Sequence, residues 1–215
     1  MRKSGNIKQM DKPLTPVEMT AMVAKVSKLG DPARGERVYR RQQLLCLGCH
    51  AIGGVGGVIG PDMVSLGASA QIDYLIESLL NPTAKIKEGY HMTMVTTKDG
   101  QVFAGGVAQD GANELVLRDA GNNLHKIAKA NIAQKVISPV SLMPPGLTAS
   151  LREDEFLDLV RFLSELGREG AFKTQPNRYI RTWRTMGKME QVDVDHIRHV
   201  GLFALNDRAY KYPWE

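Results

Sequence analysis

The segment Cys46-Leu47-Gly48-Cys49-His50 places two thiols and an imidazole within five consecutive residues. Two cysteines at this spacing can each add to one vinyl group of the same porphyrin, and the histidine that follows can bind the porphyrin iron through a ring nitrogen. The chain has two cysteines in all, so a framework of several disulfides is excluded. The segment therefore predicts one covalently bound haem c, held by Cys46 and Cys49, with His50 as an iron ligand.

Two other kinds of site can be built on a Cys-x-x-Cys pair. A redox-active dithiol would be expected in a βα unit, whereas a glycine-rich segment follows His50. A structural zinc site needs two further ligands, and without a second cysteine pair these would have to come from scattered histidines. Those histidines are His91, His125, His196 and His199. Both alternatives stay open, although the pattern favours haem.

An iron-bound imidazole needs a partner for its other ring N–H, which is often a backbone carbonyl. Gly60-Pro61-Asp62 begins ten residues after His50, and proline presents its carbonyl from a rigid backbone. We expect the Pro61 carbonyl to accept this hydrogen bond, although an ordinary Gly-Pro turn explains the spacing equally well. Nearby glycines are expected to let the backbone approach the porphyrin. They are Gly53, Gly54, Gly56 and Gly57.

The second axial ligand of the iron is harder to predict, because the chain has ten methionines. Met143 stands in a stiff, non-helical segment, where Pro144 and Pro145 fix the backbone and could hold a thioether over the iron at little entropic cost. On the residues alone, packing of Met143 in the core is an equally good explanation. His91 is the rival ligand, followed at a distance by Met92 and Met94.

Apolar periodicity predicts the helices that would position these groups. A first helix is expected from Thr15, which forms a capping box with Glu18, to the stop at Gly30. A second, capped by Asp31, runs towards Cys46. Two more are expected over 70–81 and 151–166, the last with a capping box between Ser150 and Glu153.

Between these helices the pattern alternates, which is typical of strands. Strands are expected near 90–98, 101–108, 113–119 and 124–128, separated by Asp-Gly and Gly-Asn turns, as a small antiparallel meander. Four apolar side chains are expected to form the meander's own core. They are Val95, Val102, Val107 and Leu115.

Composition limits the function classes. The chain has 215 residues, 43% of them hydrophobic and 24% charged, with a formal net charge of +5. No apolar run approaches the ~18 residues of a membrane span, and no basic run is interleaved with aromatic residues, so nucleic-acid binding is not supported. The basic N-terminus is not followed by an apolar stretch and does not resemble a signal peptide.

In combination, these motifs resemble the class I cytochromes c, and more narrowly the haem-binding domain of the Pirellula/Verrucomicrobium type. The resemblance covers roughly residues 30–167, and the motifs carrying it lie at 30–35, 46–50, 60–62, 78–82, 98–100, 141–147 and 158–160. It implies that His50 and Met143 are the axial ligands and that a small β insertion precedes the methionine loop. Met63, where this family usually has leucine, and His91 in the insertion are departures from its pattern.

The fold expected from these patterns and this resemblance is mostly α. It is a cytochrome c-like helical haem domain with a small antiparallel β insertion at about 90–132 and an extended C-terminal tail. The expected organisation is a flexible lead-in over 1–14, the haem domain over 15–170, and a tail or linker over 171–215 that carries Trp183 and Trp214.

The function implied is electron transfer through one haem rather than enzymatic catalysis. The resemblance suggests a module of a larger exported protein, serving an attached or partner dehydrogenase. A periplasmic or otherwise extracytoplasmic location is expected, because haem is attached to cysteine outside the cytoplasm in most bacteria. The alternative is a haem enzyme or gas-binding sensor with an open or displaceable sixth ligand. Oligomeric state is not predicted.

Overall fold

The structure, a computed structural model, describes Met10 and residues 12–174. Most of the predicted lead-in and tail, with Trp183 and Trp214, lies outside these residues. The α-helices are α1 (Pro16–Leu29), α2 (Pro32–Tyr39), α3 (Cys46–Cys49), α4 (Leu66–Ser69), α5 (Ile72–Leu80) and α6 (Glu153–Glu165). The strands are β1 (Ala51–Ile52), β2 (Val55–Gly56), β3 (His91–Thr97), β4 (Val102–Asp110), β5 (Glu114–Arg118), β6 (Leu124–Ala128) and β7 (Ile132–Ser141).

The prediction of a mostly α fold is wrong. In the described part of the chain, strands occupy a share of the residues comparable with that of the helices, and the architecture is mixed α and β. Strands β3 to β7 form one antiparallel sheet in the order β6-β5-β4-β3-β7, while β1 and β2 form a separate short hairpin. The sheet is therefore a major layer of the fold rather than a small insertion in a helical domain.

The sheet also extends further along the chain than predicted, because β7 continues to Ser141 and pairs antiparallel with β3. Sequence alternation did not reveal β7, because none of its side chains is buried and most are exposed. It therefore lacks the period-two pattern of a half-buried strand. Pro139 is tolerated in β7 because this strand lies at the edge of the sheet, where a missing N–H need not break the ladder.

The predicted cap of the first helix is confirmed. The Thr15 N–H donates to the Glu18 carboxylate at 2.9 Å, and the Glu18 N–H donates to Thr15 Oγ1 at 3.3 Å. The predicted capping box at Ser150 is wrong, because α6 begins later, with Arg152 as its N-cap. Leu151 is fully buried and its N–H is bonded to Thr148 in the preceding turn, which delays the start of the helix.

Helices α2 and α6 cross at very short range, and Gly35 makes this crossing possible. A Cβ atom on Gly35 would lie 1.9 Å from the carbonyl oxygen of Asp158 and 2.7 Å from Cβ of Phe162. The Asp158 carboxylate, almost fully buried, accepts two hydrogen bonds from the Arg34 guanidinium, at 2.7 and 2.9 Å, and one from the Asp31 N–H at 2.7 Å. A charge buried in this way is tolerated because its acceptor sites are occupied.

Two apolar cores result. The larger one lies among the helices and includes Tyr39, Phe156 and Phe162. The smaller one belongs to the sheet, where Val95 and Leu115 are fully buried as predicted. Val107 is only partly buried against this core, and Val102 is 61% exposed, so the prediction for Val102 is wrong. None of the described helices is long and apolar enough to cross a membrane.

The close crossing of α2 and α6 predicts that a glycine-to-alanine substitution in α2 lowers the stability of the protein, whereas this substitution usually raises it. Alanine in place of glycine normally stabilises a helix by about 0.5–1 kcal/mol. In Gly35→Ala the new methyl group would meet a backbone carbonyl that cannot move independently, and we expect a loss of about 2–3 kcal/mol. Urea denaturation measures this change.

The matched control is Gly111→Ala in the turn after β4. There the nearest atom to an added Cβ is 3.4 Å away, so the free energy of unfolding should change by less than about 0.5 kcal/mol. An unchanged or raised stability of Gly35→Ala would contradict the close crossing.

Candidate haem site

The two cysteines lie on a single turn of helix. Helix α2 ends at Tyr39, before the position predicted, and a 3₁₀ turn over Gln42–Leu44 leads to Leu45, whose φ of 57° is left-handed. Helix α3 then spans Cys46–Cys49, and His50 leaves it in an extended conformation. Cysteines three positions apart on such a turn project on neighbouring sides of the helix end, as attachment to one porphyrin requires.

The glycine-rich loop after His50 packs closely against the turn that carries the cysteines. A Cβ atom on Gly57 would lie 1.9 Å from the Gly48 carbonyl oxygen, and one on Gly56 would lie 2.4 Å from the His50 carbonyl oxygen. These two glycines thus allow the loop to fold back onto the cysteine-bearing turn itself. Gly53 and Gly54 form the turn between β1 and β2 with positive φ angles.

Asp62 closes this loop, a role that the sequence did not reveal. Its carboxylate accepts hydrogen bonds from the N–H groups of Gly53 at 2.9 Å, Gly54 at 2.7 Å and Val64 at 2.8 Å. The backbone contacts Gly57 N–H to Leu47 and Gly60 N–H to Cys49 bind the loop to α3. The side chain that follows Gly60-Pro61 therefore fixes the position of the whole turn.

The predicted partner of His50 is present. Its Nδ1 lies 2.9 Å from the Pro61 carbonyl oxygen. A carbonyl can only accept, so Nδ1 carries the proton and Nε2 keeps its lone pair. The imidazole also lies directly over Gly60, where a Cβ atom would be 2.3 Å from Cε1 and 2.8 Å from Nε2. Gly60 thus provides the space in which the ring is held.

Burial shifts the pKa values of the two cysteine thiols and of the His50 imidazole. Burial raises the pKa of the Cys46 thiol to about 12 and also raises the pKa of Cys49. Burial lowers the pKa of His50, opposed in part by the hydrogen bond to Pro61. The imidazole is therefore neutral at pH 7, as an iron ligand must be. The raised thiol pKa values differ from those of reactive dithiols, which are depressed.

Met143 is held in the segment that follows β7. Its N–H donates to Ser141 Oγ at 3.1 Å, and two exposed prolines and Gly146, with φ of 80°, follow it. The Met143 side chain is half-buried and packs against the helical core. This is the stiff, irregular geometry that the sequence predicted.

A cavity lies between the cysteine-bearing turn, the Gly60-Pro61 turn and the Met143 segment. Its volume is about 740 Å³, counting the part that opens to solvent. The lining is largely apolar. It consists of Tyr39, Leu45, Cys46, Cys49, His50, Ile59, Gly60, Pro61, Met63, Leu79, Tyr90, Ser141, Leu142, Met143, Pro144, Leu147, Leu159 and Leu163.

The cavity thus brings together all five residues predicted for cofactor binding: Cys46, Cys49, His50, Pro61 and Met143. The rival ligand His91 is not among the described residues that line it. His91 is the first residue of β3, half-buried and paired with Ser141. Its neighbour Tyr90 does line the cavity, and no pattern in the sequence singled out that tyrosine.

These residues fit a covalently attached haem. Both thiols line one apolar cavity with a neutral imidazole whose Nδ1 proton is already bound, and Gly60 leaves room for the ring. In the part of the chain that the structure describes, no three His, Cys, Asp or Glu side chains converge to hold a bare metal ion.

A comparison with known protein families finds no family that matches the chain. A comparison with curated proteins likewise finds no similar protein. The interpretation of the site accordingly depends on its geometry and on the motifs quoted above.

The contact between His50 and Gly60 gives the second prediction. In Gly60→Ala the added methyl group cannot coexist with the present ring position, so the imidazole must move away from Pro61. For protein matured with haem, we expect the low-spin absorption spectrum of the histidine-ligated iron to be largely lost. The free energy of unfolding should fall by about 1–3 kcal/mol.

The control is again the same substitution at Gly111, which should keep the spectrum of the wild type. A Gly60→Ala protein whose spectrum matches the wild type would show that the imidazole does not occupy the position described.

Proposed function

We propose that this protein is a c-type cytochrome domain that transfers electrons through one haem, bound covalently to Cys46 and Cys49. The proposal depends chiefly on one observation: a single apolar cavity is lined by both thiols, by His50 and by the thioether of Met143. His50 and Met143 are the proposed axial ligands. When bound, haem supplies a one-electron couple between ferric and ferrous iron.

The residues around His50 prepare it for this role. The Pro61 carbonyl holds the Nδ1 proton, which leaves Nε2 as the only nitrogen that can bind iron. Asp62 fixes the turn that carries Pro61 through three backbone hydrogen bonds. An imidazole oriented before the cofactor arrives loses little conformational entropy on binding, so the bond to iron is strengthened.

Met143 would act as the second ligand. A thioether is a soft ligand that favours ferrous iron, and the His–Met pair is the ligand set that raises reduction potential in cytochromes c. The leucine side chains of the lining exclude water from the space between them, which also favours the less charged ferrous state. These effects suit an electron carrier that accepts electrons from a dehydrogenase.

The cavity lining is largely apolar and opens to the surface at one point. Besides His50, its described residues include no histidine, carboxylate or ammonium group. Leu45 lines the cavity and is 45% exposed, so the cavity reaches the surface beside Cys46. A redox partner could therefore approach the cofactor there without entering the protein.

The wider context follows from the resemblance to haem-binding domains of the Pirellula/Verrucomicrobium type. We infer a module of a larger exported protein, located in the periplasm or otherwise outside the cytoplasm, that receives electrons from an attached or partner dehydrogenase. The extended sheet described above is larger than the insertion expected from that resemblance.

The sixth ligand can be assigned by substitution. We expect Met143→Ala to abolish the far-red charge-transfer absorption of a thioether-ligated ferric haem and to lower the reduction potential by roughly 0.1 V. That is a modest part of the ~0.8 V range that axial ligands span. His91→Ala should leave both unchanged, and so should Met94→Ala, which removes a 43% exposed methionine from the sheet.

Absorption spectra and potentiometric titration measure both quantities. If His91→Ala, and not Met143→Ala, changed the spectrum, the iron would have two histidine ligands. A wild-type ferrous protein with a five-coordinate, high-spin spectrum would instead indicate an open site for catalysis or gas binding.

Substitution of the two cysteines tests the covalent attachment of haem. Each single variant, Cys46→Ser or Cys49→Ser, should keep one thioether bond, while the double variant should lose all covalently bound haem. The mass of the denatured protein, after expression in a host that attaches haem to cysteine, measures this directly. A double variant that still gained the mass of haem, or a wild type that never did, would overturn the proposal.

A further inference from the structure

Ser141 connects the sheet to the cavity. It is the last residue of β7, and its partner across the strand pair is His91 at the start of β3. Its N–H donates to Thr83 Oγ1 at 3.4 Å, in the segment that follows α5. The backbone of Ser141 is therefore attached on one side to the sheet and on the other to the helical part of the molecule.

The Ser141 side chain, in contrast, forms a hydrogen bond with the segment that follows β7. Its Oγ accepts the Met143 N–H at 3.1 Å, and Ser141 itself lines the cavity. Prolines at 144 and 145 have no N–H groups, so the Met143 N–H is the only backbone donor over three residues. Without the hydroxyl, this donor would lie unsatisfied in a half-buried, apolar wall, which is costly.

We propose that Ser141 is a positioning residue for Met143, whose hydroxyl holds the thioether-bearing residue at the point where the sheet ends. This inference rests on the proposed function, because it treats Met143 as the second iron ligand. Strand β7 and Ser141 fix the chain before Met143, and the two prolines fix it after Met143. The side chain between them then has few conformations in which the thioether leaves the iron, so the ligated state is favoured.

The chain contains a matched comparison for this geometry. Ser138, three residues earlier on the same strand, accepts the Val140 N–H with its Oγ at 3.3 Å. The hydrogen bond has the same spacing, from residue i to i+2, but neither Ser138 nor Val140 is among the described residues lining the cavity. Loss of the Ser138 hydroxyl removes a similar local bond without affecting a ligand.

Imidazole added to the ferric protein measures how often the sixth position is open, because its apparent affinity scales with the open fraction. We expect Ser141→Ala to tighten imidazole binding about fivefold, the factor that corresponds to one neutral hydrogen bond. Ser141→Thr should retain the affinity of the wild type, since its hydroxyl is kept. Ser138→Ala should also bind imidazole like the wild type.

A second background, the Met143→Ala protein, distinguishes a positioning role of Ser141 from a merely structural one. In Met143→Ala protein the added change Ser141→Ala should not alter imidazole affinity, because the ligand it positions is absent. If the affinity rose equally in both backgrounds, the hydroxyl would act on the cavity and not on Met143, and the inference would be wrong. If Ser141→Ala does not fold, Ser141→Val compared with Ser141→Thr tests the hydroxyl at nearly constant shape.

The outcomes distinguish the two proposals. A wild type with thioether-ligated haem, together with a Ser141→Ala protein of unchanged imidazole affinity, would overturn the role of Ser141 and leave the cytochrome function intact. A wild type without thioether ligation would overturn both the ligand assignment and the role of Ser141.

Discussion

The hydrogen bond from the His50 ring to the Pro61 carbonyl is the constraint on which the site depends. It sets the tautomer of the imidazole, orients the ring over Gly60, and leaves the lone pair of Nε2 available. The loop can form this bond only because it folds tightly against the cysteine-bearing turn, where Gly57 meets the Gly48 carbonyl, and because Asp62 binds three of its backbone N–H groups. Local chain geometry thus fixes the orientation of the imidazole.

Other parts of the cavity lining depend on long-range packing. The close crossing at Gly35 sets the distance between α2 and α6 and places Leu159 and Leu163 of α6 in the cavity wall. Strand β7 delivers Met143 to the same cavity from the edge of the sheet. Helical and sheet layers therefore both contribute to one site, and the sheet is the layer that brings Met143 to it. Because the sheet has its own apolar core, it can contribute to the cavity without disrupting the helical core.

The sequence predictions failed where burial, rather than local pattern, decides the structure. The fold was expected to be mostly α from the helical periodicity and the resemblance to cytochromes c, and β7, which has little alternation, was missed. Two of the glycines after His50 accommodate the backbone of the preceding turn, a contact that no local pattern indicates. The helix cap expected at Ser150 is found at Arg152 instead, because Leu151 is buried in the core.

The sequence by itself determined the short-range contacts of the candidate site. The spacing of Cys46, Cys49 and His50, the Pro61 partner and the stiff segment at Met143 are all readable from it, because each involves groups close together along the chain or a backbone restricted by proline. Only the tertiary structure decided that Met143, and not His91, lines the cavity. That choice depends on how β3 and β7 pair and where the sheet meets the helices. Such contacts join residues far apart in sequence, and their free energy comes from burial that no local pattern encodes.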